Sequence, residues 1–372
     1  MLNNLFNCAY ANIKGKMDFM KKIVLTGGGT AGHIYPALAV RERLSPEIEV
    51  HFIGGNGMEK DILKNEKNIS FHQIRTVKLE RKLTAKNLLI PFKLILAIHD
   101  AKKMLKEIKP DIIFSKGGFV SVPTVIAGKK LGLPIVSHES DLSMGLANKI
   151  ILKKCDIMCT SFEETAKVDK KCVYTGQPIR KKVFRGDRSK IQSQGNFDSS
   201  LPNLLVIGGS LGAKFINEKV WNNIDKLTQE FNVVHITGKQ AKEKHSHKNY
   251  LQISYAENIG DFFAWSDIVL SRAGAGAINE FVALRKPALL IPLSKKCSRG
   301  DQIENAKLYN KKGLADILEE EDFDDVLFMI KLKNLLKNAK NYIKNMEKMQ
   351  NFDTSEKIVK ILENTAQKNI QK

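Results

Sequence analysis

Residues 27–33 read Gly-Gly-Gly-Thr-Ala-Gly-His and join an anion-binding backbone to a titratable ring. Three consecutive glycines let the main chain approach a ligand closely, because no Cβ intervenes. A helix starting behind them, near Ile34, would add unpaired N–H groups and a positive dipole end, which favour phosphate. His33 stands at the mouth of that turn, and an imidazole with a pKa of about 6.5 is a natural proton acceptor. The pattern proposes a phosphate-bearing substrate and a base. Gly27, Gly29 and Gly32 also satisfy G-x-G-x-x-G, but a dinucleotide site wants an acid about 20 residues further on. The strand there ends in Gly54-Gly55-Asn56, which counts against a nicotinamide cofactor. A purely structural strand-to-helix turn is the other alternative.

Three further glycine turns recur along the chain: Lys116-Gly117-Gly118-Phe119, Gly208-Gly209-Ser210-Leu211-Gly212-Ala213 and Arg272-Ala273-Gly274-Ala275-Gly276. Apolar, β-branched runs at Ile23–Thr26, Val50–Ile53, Ile112–Ser115, Ile135–His138 and Ile157–Thr160 read as strands. Amphipathic stretches such as Pro36–Leu44 and Pro123–Leu131 lie between them. The pattern restarts at Leu204 and continues through Val233–Thr237, Leu251–Ser254, Ile268–Ser271 and Ala288–Ile291. Strands alternating with helices imply α/β architecture with parallel sheets. The expected layout is one Rossmann-like domain over 20–184, a polar linker over 185–203 and a second such domain over 204–355. A last helix over 356–372 is expected to pack back on the first domain. Two such domains facing across a cleft would gather all four turns around one site, since open parallel sheets bind ligands beyond their carboxyl strand ends.

The 372 residues carry a net charge of +20, which points to an anionic partner or surface. With 7% aromatics and no helix-turn-helix, the chain lacks the features of a nucleic-acid reader. Cys8, Cys155, Cys159, Cys172 and Cys297 form no zinc spacing and suit a reducing compartment. No metal or cofactor is called for. Residues 1–19 read as an extension without fixed structure, or as a start assigned upstream of Met17 or Met20. No apolar run is long enough to span a membrane.

Ordered strings then narrow the reading. Thr26–His33, Gly117-Gly118-Phe119-Val120-Ser121-Val122-Pro123, His138-Glu139-Ser140-Asp141, Gly145-Leu146-Ala147-Asn148, Thr175-Gly176-Gln177-Pro178-Ile179-Arg180, Gly208–Ala213 and Ser298–Ala306 stand in register with the MurG family. The chain closely resembles that family from about Lys21 into its C-terminal helices. The resemblance implies a GT-B fold and inverting transfer of N-acetylglucosamine (GlcNAc) from UDP-GlcNAc to lipid I, the undecaprenyl-diphospho-muramoylpentapeptide, without an obligate metal. Another GT-B enzyme, such as a glycolipid synthase or a UDP-GlcNAc 2-epimerase, is the alternative.

By the same resemblance, Thr30, Ala31 and Gly32 lie against the donor sugar and acceptor diphosphate, and Asp141 contacts the GlcNAc hydroxyls. Arg180 and Ser210 serve the donor diphosphate, and the Ile259 backbone reads uracil. Ala275, Gly276, Ala277, Ile278, Asn279 and Glu280 cover the nucleotide, with Glu280 on the ribose diol, while Gln302 holds the sugar. Asp141 stands where many relatives carry Asn, and Ala31 where a glycine is common. His33 is the candidate general base and Glu139 its rival. The acceptor is a lipid, so the expected location is peripheral, at the cytoplasmic membrane face. Between Arg75 and Lys109 the chain holds ten basic residues and three acids. Leu79, Leu83, Leu88, Leu89 and Phe92 are the expected membrane contacts.

Overall fold

Ile23, Val24 and Leu25 are consecutive and all fully buried, so the strand they form is covered on both faces. That is the environment of a central strand in a parallel sheet. The computed structural model describes residues 20–64, 66–76, 90–209, 211–349 and 354–370. These divide into two units. In the first, the parallel strands β1 (Lys22–Thr26), β2 (Glu49–Gly54), β3 (Ser70–Gln73), β4 (Ile112–Ser115), β5 (Ile135–Glu139), β6 (Ile157–Thr160) and β7 (Cys172–Tyr174) run in the order β3-β2-β1-β4-β5-β6-β7.

Side chains of a strand alternate between faces. Ile23 and Leu25 join a core with Ile34 and Leu38 of the helix Ala31–Arg41 and with Ile358 and Leu362 of the C-terminal helix Thr354–Ile370. Val24 points the other way, into a core with Ala101 and Leu105 of the helix Ile90–Ile108 and Val125 of the helix Ser121–Lys130. The C-terminal helix thus completes one face of the first sheet.

The second unit repeats the scheme with β8 (Asn203–Ile207), β9 (Asn232–Ile236), β10 (Tyr250–Ile253), β11 (Ile268–Ser271), β12 (Ala288–Leu290) and β13 (Asp316–Ile317), in the order β10-β9-β8-β11-β12-β13. Leu204, Val206, Leu270 and Leu289 pack with Ile216 and Val220 from one helix and Phe328, Leu332 and Leu335 from another.

Two details differ from the sequence expectation. The first helix begins at Ala31 and not near Ile34, directly behind the glycines. Residues 185–203, expected as a linker, belong to the second unit, whose boundary falls after Pro178. The polar residues that suggested a linker are caps: Asp187 Oδ1 accepts from Ser189 N at 2.9 Å, starting the short helix Arg188–Gln192. Ile191 is buried, and Trp265 Nε1 donates to Gln192 Oε1 at 3.0 Å.

Candidate active site

β1 has β2 on one side and β4 on the other, so strand order reverses between them, and open parallel sheets bind ligands at such a point. The turns after β1 and β4 interlock there. A Cβ on Gly118 (φ +81°) would lie 2.9 Å from both the Gly28 carbonyl oxygen and His33 Nδ1. One on Gly29 (φ +80°) would lie 2.7 Å from the Phe119 ring. His33 Nδ1 is 2.8 Å from Gly28 O, and Thr30 Oγ1 is 3.3 Å from the same nitrogen. A carbonyl only accepts, so Nδ1 carries the proton and the neutral ring holds its lone pair at Nε2. Thr30 is the N-cap of the helix, with Ala31 buried and Gly32 exposed behind it.

Sequence reasoning missed the group that closes this turn. Glu59, on the helix Met58–Leu63, is 1% exposed. Its carboxylate accepts from Gly55 N at 2.8 Å and from Gly29 N at 3.3 Å. The signal in the sequence was the glycine cluster at 54, 55 and 57 just before an acid.

Behind the turns lies a buried polar layer. Lys116 is fully buried and donates from Nζ to Ser140 Oγ. Ser140 and Ser161 both donate to Gln177 Oε1, at 2.9 and 2.7 Å. Glu139, at the end of β5, is buried and accepts from Asn148 Nδ2 at 2.9 Å. His138 donates from Nε2 to Gly176 O at 2.9 Å. Burial, helped by the Lys116 charge, holds its imidazole well below the ordinary range, so the ring is neutral.

In the second unit, the turn after β8 meets the one after β9, where a Cβ on Gly212 (φ +79°) would overlap Thr237 O. The helix Lys214–Asn222 follows, while Ser210 lies outside the described residues. Ala275, Gly276, Ala277, Ile278, Asn279 and Glu280 form most of the helix Ala275–Ala283 after β11. Burial pushes the Glu280 carboxyl up to about 7, against the lowering pull of Arg180. Asn279 Oδ1 accepts from Tyr309 OH at 3.0 Å. Gln302 Oε1 accepts from Leu293 N at 3.0 Å, and Ile259 opens the helix Ile259–Trp265. Asp141 belongs to a three-residue segment of this unit and is paired with Arg299 at 2.7 Å and Asn305 Nδ2 at 3.2 Å.

Leu79, Leu83, Leu88 and Leu89 lie outside the described residues. Phe92 is on the helix Ile90–Ile108 and 69% exposed. Among the described residues, no helix is long and apolar enough to cross a membrane.

Two parallel α/β sheets, each opened by a glycine turn running into a helix, make up the GT-B fold. The Glycosyltransferase family 28 N-terminal domain matches residues 23–160 and the family's C-terminal domain residues 203–362. The chain belongs to glycosyltransferase family 28 and, within it, to the MurG family. The Clostridium tetani UDP-N-acetylglucosamine–N-acetylmuramyl-(pentapeptide) pyrophosphoryl-undecaprenol N-acetylglucosamine transferase is 44% identical over 350 residues, covering 92% of this chain and 98% of that one. A Clostridium botulinum (strain Langeland) protein of the same name is 45% identical over 336 residues, covering 88% and 95%. The crystal structure of Acinetobacter baumannii MurG matches with a TM-score of 0.70 at 24% identity, over 92% of this chain and 99% of that one. The calicheamicin glycosyltransferase CalG4 matches at 0.66 and 12%, over 93% and 98%. At those identities, both structures speak to the fold.

Proposed function

We propose that this protein transfers GlcNAc from UDP-GlcNAc to the C4 hydroxyl of the muramoyl unit of lipid I, with inversion, forming lipid II for peptidoglycan. The observation that carries this is 44% identity to a transferase of that name across nearly the whole of both chains. The acceptor oxygen bonds to the anomeric carbon while the bond to UDP breaks, and its proton passes to His33 Nε2. The Gly28 carbonyl supports this assignment, because it leaves the lone pair of a neutral His33 on Nε2. Glu139 is the weaker candidate, since Asn148 and burial already engage it.

Thr30, Ala31 and Gly32 line the acceptor diphosphate and donor sugar. Charge developing on UDP is met by Arg180, by Ser210 and by the N-terminus of the helix behind Gly212. Glu280 accepts from the ribose diol, the Ile259 backbone reads uracil, Ala275 through Asn279 cover the nucleotide, and Gln302 and Asp141 hold the sugar.

The protein works peripherally at the cytoplasmic face of the membrane. Leu79, Leu83, Leu88, Leu89 and Phe92 dip into the interface beside the basic residues of 75–109. The exposure of Phe92 (69%) and Ile95 (63%) on one helix, with Lys93 between them, supports this.

The test is transfer of labelled GlcNAc from UDP-GlcNAc to a lipid I analogue in EDTA, with UDP-glucose as control donor. A labelled disaccharide lipid, with little product from UDP-glucose, is the expected result. Consumption of UDP-GlcNAc without transfer would instead indicate an epimerase or hydrolase on the same fold.

A further inference from the structure

Four glycines make room for one side chain. A Cβ on Gly28, Gly54, Gly55 or Gly57 would come within 3.2 Å of Glu59. A carboxylate buried this deeply is costly unless its oxygens are bonded. Here both are, one to the amide of Gly55 after β2 and one to the amide of Gly29 after β1.

The second bond reaches the candidate base through a single peptide unit. The Gly29 N–H and the Gly28 C=O belong to the same peptide, and a trans peptide points them in opposite directions. Glu59 holds the N–H side, at 3.3 Å, and the C=O side accepts from His33 Nδ1 at 2.8 Å. A negative charge on the N–H also polarises the peptide and strengthens its carbonyl as an acceptor. No Cβ would fit on Gly118, where it would come within 2.9 Å of both Gly28 O and His33 Nδ1.

We infer that Glu59 is a positioning residue for the transfer: through the Gly28–Gly29 peptide it fixes the orientation and tautomer of His33. The inference rests on the reading of His33 as the base. It also accounts for the missing acid after β2. The strand ends in Gly54-Gly55 because a carboxylate from the next helix must fit against it, and that carboxylate serves backbone amides and not a ribose.

Glu59→Gln is the sharpest probe, since an amide offers one acceptor oxygen where two N–H groups converge. The expected result is a kcat lower by about 10- to 100-fold, within the range that general-base catalysis supplies. The KM for UDP-GlcNAc should stay within about twofold, because the nucleotide is assigned to the other unit. Glu59→Asp, which keeps both oxygens, should recover at least about threefold of the loss in kcat. Melting temperature and UDP-GlcNAc affinity, measured alongside, establish that the variants are folded.

The decisive arm is the double variant with His33→Ala. If Glu59 acts through His33, adding Glu59→Gln to His33→Ala should lower kcat by less than about twofold more. Multiplicative losses, or a Glu59→Gln enzyme with wild-type kcat, would overturn the Glu59 role and leave the base assignment standing. A near-wild-type His33→Ala enzyme would sink the base assignment, and any loss in Glu59→Gln would then exclude action through His33.

Discussion

After β1, the Gly27–Thr30 turn is enclosed: Glu59 holds the Gly29 amide, Phe119 abuts Gly29, and Gly118 presses on Gly28 O and His33. After β8, Gly209 (φ +91°) has nothing within 4 Å of where its Cβ would be, among the described residues, and Leu211 beside it is 58% exposed. Both begin as a buried apolar strand running into glycines and then a helix. The first turn is closed in around His33, whereas the second is tight at Gly208 and Gly212 and open at Gly209, in keeping with the proposal that the first holds a base and the second offers amides to a ligand. The same local pattern can position a base or cradle a phosphate, and the residues that arrive from elsewhere in the chain decide which. Two acids extend the contrast. Glu59 has two backbone donors, whereas the Glu280 carboxyl is pushed up to about 7 by burial and faces Arg180.

The largest effect should come from alanine in the enclosed turn. Gly118→Ala combines a positive φ with contacts to backbone and to His33, so a loss of roughly 2–4 kcal/mol in stability and 100-fold or more in kcat is expected. Gly209→Ala meets only the φ penalty, roughly 1–2 kcal/mol, and should raise the KM for UDP-GlcNAc with kcat nearly kept. Thermal melts and steady-state kinetics on the pair would dissolve the contrast if both variants behaved alike.

Glu280→Gln comes next. The folded carboxyl, at about 7, binds its proton more tightly than the ordinary carboxyl at 4.5, so wild-type stability falls as pH rises from about 4.5 to about 7. Above that the penalty is constant, at most ~3 kcal/mol. The variant should therefore melt higher than wild type at pH 8, with the gain fading towards pH 4.5, while its UDP-GlcNAc affinity drops. A stability difference that does not change with pH would contradict the burial account.

The smallest effect on the fold belongs to the exposed apolar residues. Phe92→Gln with Ile95→Gln should change stability by no more than about 0.5 kcal/mol, yet weaken binding to anionic vesicles several-fold. Unchanged vesicle binding would remove this helix from the docking surface.

The central strands are legible because both faces are buried, so runs such as Ile23-Val24-Leu25 and Leu204-Leu205-Val206 are continuous and apolar. Edge strands β3, β7 and β13 escaped the sequence because they are two to four residues long and partly exposed, with no such run. Residues 185–203 misled by composition, Asp187 and Asp198 accepting from the backbone amides of Ser189 and Ser200 as local caps. In the site, the glycine turns and His33 stand out by residue type. Glu59 does not, because it bonds amides 4 and 30 residues away and belongs to no motif. Lys116 is likewise silent in sequence, a lysine whose complete burial only the fold reveals.

The division of labour between the two turns is tested most directly by His33→Ala, with UDP-GlcNAc affinity and single-turnover transfer to a lipid I analogue measured on the same preparation. The account predicts affinity within about threefold of wild type and a transfer rate at least about 100-fold lower. A transfer rate above about a tenth of wild type, or a loss confined to UDP-GlcNAc binding, would contradict it.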